Sequence, residues 1–214
     1  MDYERLSLRD RRALGGLDDS KARSAEEREA IFPVVLQAAA HVAVVARSVR
    51  SIDSRGLHVS NLGALAAALD RAAAACPEPA RLTCLTDGFS VPDCSREHRA
   101  VVGGDATSAA IAAASVVAKV TRDRYMRRAG DSYPGWGFDE HVGYSTPEHR
   151  EAIRANGISD LHRRSFQSIA YSQLDMEGLG LEGGTEMLDV EDRAGAVDAD
   201  ADDVEADLVE AARH

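Results

Sequence analysis

Residues 103–128 constrain the fold of this chain more than any other stretch. Gly103-Gly104-Asp105-Ala106-Thr107-Ser108 leads into an alanine-rich run from Ile111 that closes on Lys119, Arg122, Asp123 and Arg124. Alanine is the strongest helix former, and a run this long predicts a helix over 107–128. Its side chains are small, so one face is smooth and suited to close packing on a sheet. The helix ends in charge, with one carboxylate, Asp123, set among three cations.

The rest of the chain supplies partners for that helix. Ser24-Ala25-Glu26-Glu27 fits a capping box and predicts a helix running to about Leu36, with Pro33 marking a kink or an early end. His41 to Ile52 alternates and is rich in valine, which predicts a strand. Leu57 to Ala75 reads as a helix stopped by Pro77 and Pro79. Arg81 to Thr86 is a short apolar run before Asp87-Gly88 and reads as a buried strand ending at a turn, and Arg99 to Val102 as another short strand. Gly130 to Gly143 reads as a loop, and Thr146-Pro147-Glu148 opens a last helix with proline at its first position. Strands alternating with helices put the body in the α/β class.

Charge divides the chain in two. The net charge is −11, yet residues 172–214 hold fourteen acids and two arginines, a net of −12. The body, 1–171, is therefore almost neutral, and a neutral body can hold a local basic groove for phosphate. The expected organisation is one domain over 1–171 and a solvated, disordered acidic tail over 172–214. No run of apolar residues is long enough for a membrane span, and the N-terminus has no secretory apolar segment. Three cysteines with no Cys-x-x-Cys spacing argue against a disulfide framework or a cysteine zinc site, and a reducing cytoplasm is the simple expectation. The histidines lack metal-ligand spacing.

Taken locally, the acids allow two readings each. Asp87, at a strand end before glycine, is either a turn former or a carboxylate projecting over the sheet edge to hold a hard cation. Asp123 is either part of a helix salt-bridge cluster or a second metal-facing acid. Hydrolysis of a phosphodiester with two ions needs three or four carboxylates to hold them about 3.5–4 Å apart.

The 103–123 segment, Leu85-Thr86-Asp87-Gly88, His141-Val142-Gly143-Tyr144-Ser145-Thr146 and His162-Arg163-Arg164-Ser165-Phe166, in this order, resemble ribonuclease HII across roughly residues 16–171. The resemblance implies a ribonuclease H-like mixed sheet flanked by helices. It implies an endonuclease that cuts the RNA strand of RNA–DNA hybrids, including single ribonucleotides in duplex DNA, as in ribonucleotide excision repair. Mn²⁺ or Mg²⁺ would be the cofactor, with Asp87 and Asp123 as ligands. Tyr144 would stack at the junction of ribonucleotide and deoxyribonucleotide. Lys21, in Asp19-Ser20-Lys21, would reach a backbone phosphate or stand as a surface lysine. Asn61 would touch the hybrid or cap a helix, and Arg163 and Arg164 would line the groove or pack. A cytoplasmic monomer is expected. Val142 and Ser145 depart from the family's usual lysine and glycine.

The family's first motif, Asp-Glu-x-Gly-Arg-Gly, occurs nowhere in the 214 residues, so two of four expected acids are absent. The resemblance places that motif on the first of two central strands. Losing both strands would remove on the order of 10 kcal/mol of apolar burial, a whole domain's stability. The sequence is thus expected to be an N-terminally truncated form arising from a misassigned start. The alternatives are a hybrid-binding protein without catalysis and an inert gene fragment.

Overall fold

The computed structural model describes residues 6–14, 17, 23–76, 82–92 and 94–166. Lys21, the tail 172–214 and the domain boundary at 171 lie outside the described residues.

Helix α1 spans Leu8–Leu14 and α2 spans Ala25–Ala38. The capping box forms as expected. The Glu27 amide donates to Ser24 Oγ at 3.2 Å, and the Ser24 amide donates to Glu27 Oε2 at 2.8 Å. Pro33 neither ends α2 nor starts it. The helix continues five residues beyond, because Pro33 stands on the exposed face while Phe32 and Val35 on either side are buried.

The expected strand at 41–52 is not formed. Residues 41–48 are irregular, and 49–55 belong to helix α3, Val49–Arg55. The alternation is still used, since Val42 and Val44 pack against the core. A strand, however, needs a hydrogen-bonded neighbour, and none pairs with this segment among the described residues. Ser48 then starts the helix by accepting the Ser51 amide on its side chain at 3.1 Å. Gly56, at φ +85°, turns the chain from α3 into α4, Leu57–Ala74.

Two short strands follow, β1 (Leu85–Asp87) and β2 (Arg99–Val101), paired in parallel with Leu85 opposite Arg99 and Asp87 opposite Val101. β1 thus begins later than the expected Arg81–Thr86 run and takes in the aspartate. Among the described residues the sheet has these two strands alone, parallel rather than mixed. The α/β class stands, with helices predominating.

After β2 come α5 (Gly104–Thr107) and the long α6 (Ala109–Ser132). The expected helix over 107–128 is therefore split at Ser108, whose extended backbone breaks it, and runs four residues further. The expected loop at 130–143 consequently holds the end of α6 and a short helix α7, Phe138–His141. Helix α8, Pro147–Asn156, opens as predicted, with Thr146 Oγ1 accepting the His149 amide at 3.2 Å and proline first in the helix. A helical turn at 164–166 ends the described chain.

The core lies between α1, α2 and α6. Leu14, Leu17, Phe32 and Val35 meet Ala112, Ala113, Val116, Val117 and Val120. Each large side chain buried there contributes about 1.5–3 kcal/mol. Glu29 on α2 reinforces the packing, accepting from Arg124 at 2.6 and 3.1 Å and from Arg127 at 3.2 Å, while the Arg124 guanidinium lies 4.6 Å from the Phe32 ring centre. None of the helices among the described residues is long and apolar enough to cross a membrane.

Candidate functional site

Asp87 is the last residue of β1, and the chain beyond it is fixed by local hydrogen bonds. Gly88, at φ +73°, returns its amide to Val101 O at 2.9 Å, and Thr86 Oγ1 donates to Phe89 O at 2.7 Å. The carboxylate therefore leaves the sheet edge in one direction. Its Oδ1 accepts the Gly104 amide at 2.9 Å, which joins β1 to the start of α5. A side chain at Gly104 would crowd this contact. A Cβ on Gly104 would stand 2.5 Å from Ile111 Cδ1 and 3.3 Å from Asp87 Oδ1. Asp87 Oδ2 has no hydrogen bond from another described residue.

Asp123 lies two-thirds of the way along α6 and is 4% exposed. The carboxylate is neutralised by its own helix. Lys119 Nζ, one turn earlier, bonds Oδ2, and Arg122 Nη1 donates to Oδ1 at 3.1 Å. The salt bridges expected of this cluster form, around a carboxylate that is buried rather than exposed. The same cations face Tyr144, with Lys119 Nζ 4.9 Å and the Arg122 guanidinium carbon 5.4 Å from its ring centre. Half of Tyr144 is exposed. The structure therefore brings Asp123 and Tyr144 together, through Lys119 and Arg122. The lysine and arginine could have been found as the i, i+4 and adjacent partners of Asp123, but their second role toward the tyrosine has no local signal.

The remaining candidates fall elsewhere. Asn61 is exposed on α4, the fifth residue of a helix capped by Gly56, so the capping alternative is ruled out. Arg163 packs its guanidinium over the Phe166 ring at 4.9 Å. Arg164 keeps its side chain exposed while its amide, with the amide and hydroxyl of Ser165, donates to the Asp53 carboxylate at 2.6–3.0 Å. The Ser165 hydroxyl above all holds the Asp53 carboxyl below its usual range. Sequence reasoning missed Asp53, which clasps the 162–166 segment to the end of α3.

It also missed a group of three histidines behind Tyr144. His141, His149 and His162 surround Phe138, with ring centres 6.1, 5.8 and 5.5 Å from it. Burial pushes His149 and His162 below the ordinary histidine range.

Carboxylate oxygens are donors that Mg²⁺ and Mn²⁺ prefer, and Asp87 has one to offer. Two acids are nevertheless short of a two-ion site. No three His, Cys, Asp or Glu side chains converge as a metal-holding group among the described residues.

A sequence model of the family described as Ribonuclease HII matches residues 9–169. A protein named Ribonuclease HII from Geobacillus kaustophilus (strain HTA426) is 44% identical over 156 residues, covering 73% of this chain and 58% of that protein. Its namesake in Nocardia farcinica (strain IFM 10152) is 42% identical over 73% of this chain and 60% of its own length. Another, from Rhodococcus erythropolis (strain PR4 / NBRC 100887), is 38% identical over 80% and 74%. The chain spans about three-fifths of the length of the first two relatives.

Proposed function

Because the chain belongs to the ribonuclease HII family, we propose that it serves the hydrolysis of the RNA strand in RNA–DNA hybrids, including single ribonucleotides embedded in duplex DNA. The observation that supports this best is the position of Tyr144. An exposed ring with two cations at its face can stack on a sugar or base while the cations meet the flanking phosphates. Phosphate contacts set register, and an aromatic face accepts any base, which suits an enzyme that recognises sugar chemistry rather than sequence.

Asp87 and Asp123 are the proposed carboxylates toward Mn²⁺ or Mg²⁺. When bound, such ions activate water and stabilise the leaving oxygen. Gly104 fixes one Asp87 oxygen and leaves the other available. Lys119 and Arg122 pair with the buried Asp123 carboxylate. The proposed setting is a cytoplasmic monomer.

The test is an end-labelled duplex with one ribonucleotide, incubated with the chain and Mn²⁺ or Mg²⁺, with binding measured in parallel. Metal-dependent cleavage leaving a 3′-hydroxyl and a 5′-phosphate, lost in Asp87→Asn and Asp123→Asn, is the expected outcome. Salt-sensitive binding of the hybrid with no cleavage would replace the enzyme with a non-catalytic hybrid-binding protein.

A further inference from the structure

The hydrogen bonds behind Tyr144 fix the proton positions of two rings. His149 Nδ1 stands 2.9 Å from the Tyr144 carbonyl oxygen. A carbonyl only accepts, so this nitrogen carries the proton and His149 Nε2 is left with its lone pair. At His162 the order is reversed. Nδ1 accepts the Ser159 amide at 3.0 Å, with the Ser159 hydroxyl 2.8 Å away, so the proton of the neutral ring sits on Nε2. The two Nε2 atoms face each other at 3.1 Å. One donates and the other accepts, with no choice left to either.

From this geometry we infer that His162 and His149 are positioning residues for Tyr144: Ser159 orients His162, His162 donates to His149, and His149 donates to the Tyr144 carbonyl. The inference rests on the reading of Tyr144 as the ring that meets the hybrid. The chain of bonds holds the main chain of Tyr144, while Lys119 and Arg122 meet its ring. The same carbonyl accepts the Thr146 amide at 2.8 Å, and Thr146 caps α8, which carries His149. The loop is thus closed on itself through one oxygen atom.

The strap requires two neutral rings. A second proton on His149 sets N–H against N–H across 3.1 Å, and one on His162 sets Nδ1–H against the Ser159 amide at 3.0 Å. The other groups at the pair reinforce this. His141, from α7, stacks on His149 with ring centres 4.2 Å apart and disfavours charge on both rings. His141 itself accepts the Gly143 amide on Nδ1 at 3.1 Å and donates from Nε2 to Trp136 O at 2.7 Å. Phe138, 1% exposed, supplies an apolar face to all three. Glu148, at the start of α8, interacts with His141 and not with the pair itself. Acidification through the depressed range of the pair therefore breaks the bracing behind His149 and leaves the Tyr144 carbonyl held by an unsupported ring.

Two measurements on the full chain test this. Long-range proton–nitrogen spectra of the wild type report ring tautomers directly. His149 is expected with its proton on Nδ1 and His162 with its proton on Nε2, each ring less charged at pH 6.5 than an ordinary histidine. The reverse tautomers, or charged rings at that pH, would overturn the inference. The second measurement compares His162→Gln, whose amide nitrogen can stand where Nε2 donates, with His162→Ala. Loss of a hydrogen bond of this kind predicts about a tenfold weaker hybrid affinity in the alanine variant. That loss should add little to the loss in Tyr144→Ala, while the glutamine variant binds as the wild type does, with a flatter pH profile. Equal behaviour of the two variants, or full additivity with Tyr144→Ala, sinks the idea. If Tyr144→Ala leaves hybrid binding unchanged, the stacking role fails and the strap is decided by amide exchange at Thr146. Exchange should be faster in His162→Ala and unchanged in His162→Gln.

Discussion

Tyr144 and Asp123 are served by the same two cations. Lys119 and Arg122 neutralise the Asp123 carboxylate and at the same time stand 4.9 and 5.4 Å from the Tyr144 ring centre. A change at either cation is therefore felt at both places. Lys119→Met keeps most of the aliphatic stem and removes the charge. It leaves Asp123 with the half-exposed Arg122 alone, and should cost about 1–2 kcal/mol of stability in urea unfolding. The salt dependence of hybrid binding should fall by about one phosphate contact. An unchanged salt slope would mean that Lys119 serves Asp123 only.

Gly104 predicts a non-additive pair. Gly104→Ala places a methyl against Ile111 Cδ1, in a site where Ile111 is buried. Overpacking of this kind costs about 1–3 kcal/mol. Ile111→Val removes the clashing carbon, so the double variant should be more stable than Gly104→Ala alone. Additive losses in urea unfolding would show that the contact with Asp87 Oδ1, not Ile111, sets the limit.

Glu29 joins α2 to α6 by accepting from Arg124 and Arg127 together. All three side chains are a quarter to two-fifths exposed, so solvent screening reduces the gain. Glu29→Gln should lower stability by about 1 kcal/mol at low salt and by less at 1 M salt. A loss that is independent of salt would point to packing on Phe32 instead.

Thr121 buries a hydroxyl with no hydrogen-bond partner among the described residues. Its neighbours on α6, Val117 and Val120, belong to the core. Thr121→Val keeps the shape and drops the unsatisfied group, and should raise stability by about 1 kcal/mol. A lower midpoint in thermal unfolding would reveal a partner for the hydroxyl.

The depressed histidines set a pH dependence whose sign follows from linkage. Above the ordinary pKa of about 6.5, His149 and His162 are neutral in both the folded and unfolded chain. Below it, the unfolded chain binds protons that the folded pair refuses, so stability falls as pH drops through 6.5 toward the lowered folded values. His162→Gln should reduce the slope of stability against pH in this range.

Local signals carried much of the fold. Ser24 with Glu27, and Thr146 with Pro147, announce two helix starts because the caps that form there are made within four residues. The alternation of valines at 42 and 44 does report a buried face, yet it cannot report the absence of a paired neighbour, so the strand expected there is missing. Asp123 shows its partners in the sequence because they lie within one helical turn. The histidine chain was not legible. Its members lie on α7, on α8 and in the turn beyond, and only the folded loops decide which nitrogen meets which carbonyl.

Trp136 is the only tryptophan in the chain. Its indole donates to Gly157 O at 2.9 Å, and its carbonyl accepts from His141. All indole emission thus originates beside the tyrosine loop, within reach of an imidazole that quenches when charged. The fluorescence of the unlabelled protein is a native optical gauge of that loop, readable during titration, ligand addition or rapid mixing without any dye.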